Sequence, residues 1–380
     1  MPTIITRGAM SASALGFGKA PSLAAGYYLW AWGYGGNGGL GLGTRGNYSS
    51  PMQVGALTNW STVSISTDSS KAVKNDGTLW AWGLNGNGQL GLGNTTYYSS
   101  PVQVGALTNW KLVSSGNTFT VAVKTDGTLW AWGSGSNGQL GLGNTTSYSS
   151  PKQVGSLTNW ATVSACAAYT GFCVATKTDG TLWSWGCNLR GQLGLGNTTY
   201  YSSPKQVGAL TNWKSASAGQ NFVTAVKTDG TLWSWGSNYK GQLGLGNTTY
   251  YSSPMQVGSL TTWSTANSSA YISAYAIKTN GTLWAWGYNN FGELGLNSLT
   301  NYINIPLQVG SLTNWSSVYG GYESCAAIKT NGTLWTWGYN AQGQLGLGNT
   351  TYFSSPKQVG ALTTWKYAVM GQYNTLALKS

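Results

Sequence analysis

The chain of 380 residues contains no histidine and only seven aspartate and glutamate residues. Without histidine, the Ser-His and Cys-His pairs that activate many enzyme nucleophiles cannot form. Four of the acids directly precede a glycine, in Asp-Gly pairs that favour tight turns. The other three, Asp68, Glu293 and Glu323, are far apart in the chain, so the sequence does not predict a carboxylate pair. We therefore expect a non-enzymatic protein with no catalytic residue and no cofactor.

Cysteine is also scarce, with four residues at Cys166, Cys173, Cys187 and Cys325. Their spacing makes neither a disulfide framework nor, without histidine, a metal site. Cys166 and Cys173 flank a short insertion, where a disulfide bridge and two free thiols both remain open. The chain has no apolar run long enough to span a membrane, and its first residues lack the hydrophobic centre of a secretory signal.

Tryptophan, by contrast, is abundant, and all 21 residues obey one period. The motif Leu-Trp-x-Trp-Gly begins at Leu29, Leu79, Leu129, Leu182, Leu232, Leu283 and Leu334. One further tryptophan per repeat stands at Trp60, Trp110, Trp160, Trp213, Trp263, Trp315 and Trp365. A near-constant period of about 50 residues marks a repeat architecture. Such regularity predicts that the indoles form a core rather than a binding site.

Each repeat reads as four short strands. In the motif, two bulky indoles alternate with small residues, which gives a strand one large and one small face. The Asp-Gly pair before the motif predicts a hairpin. Seven such units predict an all-β, seven-bladed β-propeller over residues 26–380. Leu376 to Lys379 resembles the strand that precedes the Leu-Trp-x-Trp-Gly motif in other repeats, but no such motif follows it. Leu29 begins a motif that no such strand precedes. We therefore expect one blade to be closed by both termini.

A loop rich in aromatic residues follows the glycine cluster of most repeats. Rings flanked by Asn, Thr and Ser combine a stacking surface with hydrogen-bonding groups, which suits glycan or protein binding. In the other interpretation, the rings pack on the neighbouring blade. The candidate binding residues are Tyr48, Tyr97, Tyr98, Tyr148, Tyr200, Tyr201, Tyr250, Tyr251, Tyr352 and Phe353.

The formal net charge is +12, and seven of the 19 basic residues occupy one repeated lysine position. These lysines should form a ring beside the Asp-Gly turns, either as a surface for an acidic partner or as solvated edge residues that discourage sheet association. No dense Lys/Arg tract favours nucleic acid as a partner. The position is occupied by Lys74, Lys124, Lys177, Lys227, Lys278, Lys329 and Lys379.

The repeat Gly-Thr-Leu-Trp-x-Trp-Gly-x-Asn-x-x-Gly-Gln-Leu-Gly-Leu-Gly, followed by Pro-x-Gln-Val, resembles that of the regulator of chromosome condensation family. The resemblance implies a seven-bladed propeller. It implies no single function, because members include a nucleotide exchange factor for a small GTPase, chromatin binders and bacterial inhibitors. Eukaryotic members usually carry Gly-x-x-His where this chain reads Gly116 to Phe119, so no catalytic residue is carried over.

Residues 1–25 lie outside the repeats and are interpreted as an attachment arm. Residues 3–17 resemble a segment on structural proteins of tailed bacteriophages, which implies a virion component that displays its loops to a host-surface glycan or protein. The alternative is an intracellular, cytoplasmic regulatory or inhibitory propeller. Contacts with other virion proteins are expected through Ile4, Ile5, Arg7, Met10, Leu15 and Phe17.

Overall fold

A computed structural model describes residues 26–168 and 170–380, which form 28 β-strands in seven four-stranded sheets. The sheets are arranged as the blades of a propeller, because each innermost strand contacts the innermost strands of the two adjacent sheets. The seven-bladed, all-β fold predicted from the repeats is confirmed. Within the described part of the chain, no helix has the length and apolar character needed to cross a membrane.

The strands occupy four radial positions in each blade. The innermost strands are β3 Trp60–Ile65, β7 Trp110–Ser115, β11 Trp160–Ala165, β15 Trp213–Ala218, β19 Trp263–Ser268, β23 Trp315–Gly320 and β27 Trp365–Met370. The second are β4 Ser69–Lys74, β8 Phe119–Lys124, β12 Phe172–Lys177, β16 Phe222–Lys227, β20 Ser273–Lys278, β24 Ser324–Lys329 and β28 Asn374–Lys379. The third are β1 Tyr28–Gly33, β5 Leu79–Gly83, β9 Leu129–Gly133, β13 Leu182–Gly186, β17 Leu232–Gly236, β21 Leu283–Tyr288 and β25 Leu334–Gly338. The outermost are β2 Tyr48–Gln53, β6 Tyr98–Gln103, β10 Tyr148–Gln153, β14 Tyr201–Gln206, β18 Tyr251–Gln256, β22 Tyr302–Gln308 and β26 Phe353–Gln358.

Blades 1 to 6 each consist of four consecutive strands, starting with β3 to β6, whereas blade 7 has the order β2-β1-β28-β27. In blade 7, β1 and β28 pair in antiparallel register from Tyr28 with Lys379 to Gly33 with Asn374. Strands from the two ends of the described chain thus close the ring, as predicted from the incomplete repeats at the two ends of the sequence.

The strands alternate in direction, so the propeller has two distinct faces. The long loops between the third and outermost strands lie on one face, together with the turns between the innermost and second strands; we call it the long-loop face. The Asp-Gly turns lie on the opposite face, together with the connections between blades; we call it the Asp-Gly face. Gly26 enters the propeller on the Asp-Gly face, where Tyr27 and Trp60 form an isolated bridge.

The tryptophans pack as seven equivalent triads. In blade 1, the ring of Trp60 lies edge-on to those of Trp80 and Trp82, each with a centroid separation of 6.2 Å. The third-strand indole also packs across the blade interface: Trp132 donates its Nε1 hydrogen to the carbonyl of Gln89 in blade 1 at 3.0 Å. A Cβ on Gly91 would lie 2.7 Å from the Trp132 Nε1 atom, so a glycine is required there. The core role predicted for the indoles is confirmed.

In most blades an asparagine stands two residues after the glycine of the Trp-Gly pair and holds the long loop in place. In blade 1, Asn85 donates from Nδ2 to the carbonyls of Asn94 and Thr96, each at 3.0 Å. Its Oδ1 accepts the backbone N–H of Leu90 at 2.9 Å. Because one buried side chain satisfies three backbone groups, the loop has a defined path despite its glycines.

Candidate functional site

The ten aromatic residues predicted to bind a partner divide into two structural classes. Those at the start of the outermost strands are half-buried and pack against the interblade core: Tyr48, Tyr98, Tyr148, Tyr201, Tyr251 and Phe353. Those one residue earlier are 39–42% exposed: Tyr97, Tyr200, Tyr250 and Tyr352. Only the second class therefore offers a large part of its ring to a partner, and the binding role of both classes stays a prediction.

Two groups of contacting aromatic rings lie on one side of the long-loop face. We call them together the tyrosine arc; its members are Tyr34, Tyr271, Tyr288, Phe291, Tyr322, Tyr339, Tyr352 and Tyr373. All of them belong to blades 5, 6 and 7, and all except the exposed Tyr352 are half-buried. The arc makes the long-loop face asymmetric, although the propeller beneath it is nearly regular.

The rings of blades 5 and 6 make the closest stack in the arc. Tyr271 and Tyr322 have centroids 4.2 Å apart and planes inclined by 21°. Tyr288 meets Tyr271 edge-on at 5.7 Å. Stacked and edge-on aromatic pairs of this kind stabilise each other by about 0.5–1.5 kcal/mol beyond the burial of their area. The arc is therefore a pre-formed surface.

The second group of rings extends from blade 5 through blade 6 to blade 7. Phe291 lies edge-on to Tyr339, with centroids 5.1 Å apart. Tyr339 in turn packs against Tyr352 at 4.8 Å and against Tyr373 at 6.0 Å. Tyr34 extends the series at 6.4 Å from Tyr373. Tyr352 is the one predicted binding residue that belongs to this cluster.

Two glutamates lie beside the arc at the interface of blades 5 and 6. A Cβ placed on Gly338 would be 2.5 Å from the carbonyl oxygen of Glu323 and 3.2 Å from Cα of Glu293. The two residues are thus neighbours in space although 30 positions separate them in the chain. The expectation that the scattered acids form no pair was wrong, because the repeat brings a long loop of one blade onto the turn of the next.

Burial changes the chemistry of both carboxyls. Glu293 is fully buried, and its Oε2 accepts the backbone N–H of Phe291 at 3.0 Å. Its Oε1 has no hydrogen-bond partner among the described residues. Burial raises the pKa of Glu293 to about 8, and the charge of Glu323 adds to the rise. Burial also raises the pKa of Glu323 to about 7. Both carboxyls therefore favour their neutral, protonated forms more strongly than exposed glutamates do.

The same interface in another blade pair shows what the glutamates replace. Between blades 3 and 4, Gln192 donates from Nε2 to Oδ1 of Asn221 at 3.2 Å, and the Gln192 Oε1 accepts a backbone N–H at 2.8 Å. Glu293 keeps the second bond, but its ionised form has no hydrogen to donate in place of the first. Two carboxyls whose charged forms are disfavoured by burial thus stand where another interface has a neutral amide pair, which makes this interface a candidate for a function.

The repeated lysines on the Asp-Gly face have a structural role that neither prediction anticipated. Lys124 Nζ lies 3.7 Å from the ring centroid of Trp130 and 4.9 Å from that of Trp110. Equivalent contacts recur at Lys74, Lys177, Lys227, Lys278 and Lys329. Five of the seven lysines are buried. They are therefore cation–π partners of the tryptophan core, not a ring of solvated charges.

Two further candidates are structural. The central channel is lined by serines such as Ser64 and Ser114, encloses only about 40 Å³, and is crossed by hydrogen bonds such as that from Ser115 N to Ser64 Oγ at 2.9 Å. It is too small for an organic ligand.

Cys166 and Cys173 are buried free thiols, so the bridge left open by the sequence is absent.

The six arm residues predicted to attach to a virion, from Ile4 to Phe17, lie outside the described residues. The tyrosine arc and the glutamate pair were missed as a site. A signal existed: the residue after the Trp-Gly pair is Tyr34, Tyr288 or Tyr339 in exactly the three blades that are adjacent in the closed ring. It had no meaning until blade 7 was placed between blades 6 and 1.

Solved structures share this architecture at low sequence identity. Prp20p from Saccharomyces cerevisiae superposes with a TM-score of 0.83 at 18% identity, over 94% of this chain and 92% of that chain. Human WBSCR16 gives a TM-score of 0.81 at 20% identity, over 93% of this chain and 99% of that chain. These similarities support the propeller fold and carry no activity with them.

Curated relatives match shorter stretches. The ultraviolet-B receptor UVR8 of Arabidopsis thaliana is 28% identical over 182 residues, which is 47% of this chain and 41% of the receptor. A protein RCC2 homolog of Xenopus laevis is 38% identical over 77 residues, or 20% of this chain and 15% of the relative. The matched stretch thus covers less than half the length of either relative.

The family models cover almost the whole propeller. The RCC1-like domain matches residues 23–275, and the regulator of chromosome condensation (RCC1) repeat matches residues 280–328 and 331–378. Together these ranges include all seven tryptophan triads of the propeller. The chain therefore belongs to the family of RCC1-like β-propeller domains.

Proposed function

We propose that this protein is a non-enzymatic, protein-binding propeller that contacts its partner through the tyrosine arc on the long-loop face. The observation that carries the proposal is the restriction of the arc to three adjacent blades. Aromatic side chains with polar tips are enriched at protein interfaces and supply much of their binding energy. A surface that only completed the fold would recur in every blade, as the tryptophan triads do.

The relatives support a binding role. Prp20p is described with binding properties to Gsp1p and histones, and with Kap60 bound to it. UVR8 is named as a receptor. For this chain, a regulatory propeller is accordingly better supported than the virion component suggested by residues 3–17. The virion role, its glycan receptor and the two locations considered, virion and cytoplasm, stay predictions.

Site-specific photo-cross-linking tests which face binds. A photoreactive phenylalanine analogue is placed at Tyr339 in the arc or at Leu157 on the Asp-Gly face, which is 47% exposed. Each variant is expressed in the native host, and cross-linked proteins are identified by mass spectrometry. We expect a defined partner from Tyr339 and none from Leu157. A partner cross-linked only from Leu157 would contradict the proposal, and viral proteins as partners from Tyr339 would revive the virion role.

A further inference from the structure

The glutamate pair and the rings beside it differ from an ordinary aromatic interface. Glu323 is half-buried and lies in the turn that also carries Tyr322. The Tyr339 N–H donates a hydrogen bond to the carbonyl of Glu323 at 2.9 Å, and the ring of Tyr322 stacks on that of Tyr271 at 4.2 Å, so these aromatic residues flank Glu323. Burial raises the pKa of Tyr271 and Tyr339, and the charge of Glu323 adds to the rise. A negatively charged group surrounded by aromatic rings is a suitable environment for a cation.

The described residues supply no cation that neutralises the pair. Among the described residues, no lysine or arginine contributes to the pKa of either Glu293 or Glu323. The buried Oε1 of Glu293 has no hydrogen-bond partner among these residues, and the Cα of Glu293 lies close to the turn that carries Glu323. Buried carboxyls without a partner are costly, and function is a frequent reason for keeping them.

The arc already holds one cation of this chain at its edge. Lys240 Nζ lies 5.8 Å from the ring centroid of Tyr288 and 5.7 Å from that of Tyr302. It also donates a hydrogen bond to Oδ1 of Asn301 at 3.2 Å. The rings at this edge are therefore open to a positively charged group, while Glu323 further along the arc is left without one.

We infer that Glu323 and the flanking rings of Tyr271, Tyr322 and Tyr339 bind one positively charged side chain, lysine or arginine, of a protein partner. The inference rests on the proposed function, since it assigns the chemistry of one contact within the arc. Glu323 contacts the incoming cation, and the fully buried Glu293 acts through Glu323 as a positioning residue. Because the formal net charge of the chain is +12, the rest of the molecule repels a basic partner. Attraction of a lysine or arginine side chain therefore depends on the glutamate pair.

The test uses two blocked peptides, acetyl-Gly-Lys-Gly-amide and the same peptide with norleucine in place of lysine. Binding to the full chain at pH 7.5 is measured by saturation-transfer NMR. We expect millimolar binding of the lysine peptide, with the strongest transfer to its ε-methylene group. Glu323→Gln should weaken binding by about tenfold, because one charge-assisted hydrogen bond is lost. Equal binding of the norleucine peptide would overturn the inference.

Asp68→Asn is the matched control, because Asp68 occupies the same repeat position as Glu323 in blade 1 but is hydrogen-bonded by Asn37 at 2.9 Å. It should leave the lysine peptide's affinity within twofold. If Glu323→Gln fails to fold, Tyr322→Leu replaces it and should weaken binding at least threefold. An effect of Asp68→Asn as large as that of Glu323→Gln would also overturn the inference. Cross-linking at Tyr339 without lysine binding would reject this contact alone and leave the proposed function intact.

Discussion

Among single residues, Glu293 is the clearest case of a side chain in the candidate site that is costly for the stability of the fold. Its carboxyl is fully buried at a place where blades 1 to 4 and 6 carry a glutamine, such as Gln344. Its pKa rises from an ordinary value of 4.5 to about 8. The folded state therefore binds the proton more tightly than the unfolded state, and stability is greatest below pH 4.5 and is lost as pH rises through 8.

Glu293→Gln removes this pH-dependent cost and restores the residue of the other blades. We expect little change in the free energy of unfolding at pH 5 and a stabilisation of about 2–4 kcal/mol at pH 9. Urea titrations at the two pH values, followed by near-ultraviolet circular dichroism, measure the difference. The converse variant Gln344→Glu serves as control and should destabilise the protein at pH 9. Equal stabilisation of Glu293→Gln at both pH values would contradict the buried-acid account.

Lys124 is the second informative residue, because it is buried between Trp110 and Trp130. Methionine keeps most of its apolar contacts but removes the charge. We expect Lys124→Met to cost about 1–2 kcal/mol in the free energy of unfolding, the usual size of a desolvated cation–π contact. Lys366→Met, at an exposed position, is the control and should change stability by less than about 0.5 kcal/mol. Denaturant titration distinguishes the two, and no loss at Lys124 would show that the indoles need no cation.

The sequence predicted which tryptophans pack but not what the lysines do. Periodicity places Lys124 at the end of a strand, where a solvated side chain is the default. The contact with two indoles depends on the register of three adjacent strands, β7, β8 and β9, and only the folded blade brings the three side chains together. The glutamate pair escaped prediction for the same reason, since Glu293 and Glu323 come from different blades.

At the scale of elements, the Asp-Gly hairpins illustrate a local signal that determines its own structure. Asp126 Oδ1 accepts the backbone N–H of Thr128 at 2.9 Å and its hydroxyl at 2.7 Å, and that hydroxyl accepts the indole N–H of Trp130 at 2.9 Å. Asn280 makes the same two bonds to Thr282. The prediction that these acids serve turn geometry is supported by this equivalence.

The turn account predicts opposite outcomes for two substitutions at Asp126. Asp126→Asn should change the free energy of unfolding by less than about 0.5 kcal/mol, because an amide oxygen accepts the same bonds. Asp126→Ala should cost about 1–2 kcal/mol, because two hydrogen bonds are lost. Thermal unfolding of both variants measures the contrast. A loss in Asp126→Asn as large as that in Asp126→Ala would indicate that the charge, not the bond geometry, matters.

At the scale of the whole molecule, the closure of blade 7 couples the ends of the ring. Strand β28 pairs with β1 on one side and with β27 on the other, and it buries Leu376 and Leu378. Each buried leucine contributes about 1.5–3 kcal/mol, which is a large share of a typical total of about 5–15 kcal/mol. The pairing of β28 with β1 could be predicted from the sequence, because the seventh repeat has four strands only when the two ends of the chain are combined.

Deletion of residues 373–380 should therefore abolish the cooperative unfolding transition or lower the melting temperature by more than about 10 °C. Deletion of residues 1–25 should leave the melting temperature unchanged within about 2 °C, since these residues lie outside the sequence repeats. Differential scanning calorimetry on both truncations gives the comparison. Loss of folding on removal of residues 1–25 would show that this segment is part of the propeller and not an arm.

We propose that one arc of a nearly regular propeller binds a protein partner. Isothermal titration calorimetry of the cross-linked partner with the wild type and with Tyr339→Ser measures whether the arc contributes to the affinity. Tyr339 contacts the rings of Phe291, Tyr352 and Tyr373, so its loss opens the centre of the arc. We expect Tyr339→Ser to bind the partner at least about thirtyfold more weakly than the wild type. Leu157→Ser, on the Asp-Gly face, should bind it with unchanged affinity. Equal affinity of Tyr339→Ser and the wild type, with Leu157→Ser impaired, would contradict the proposal.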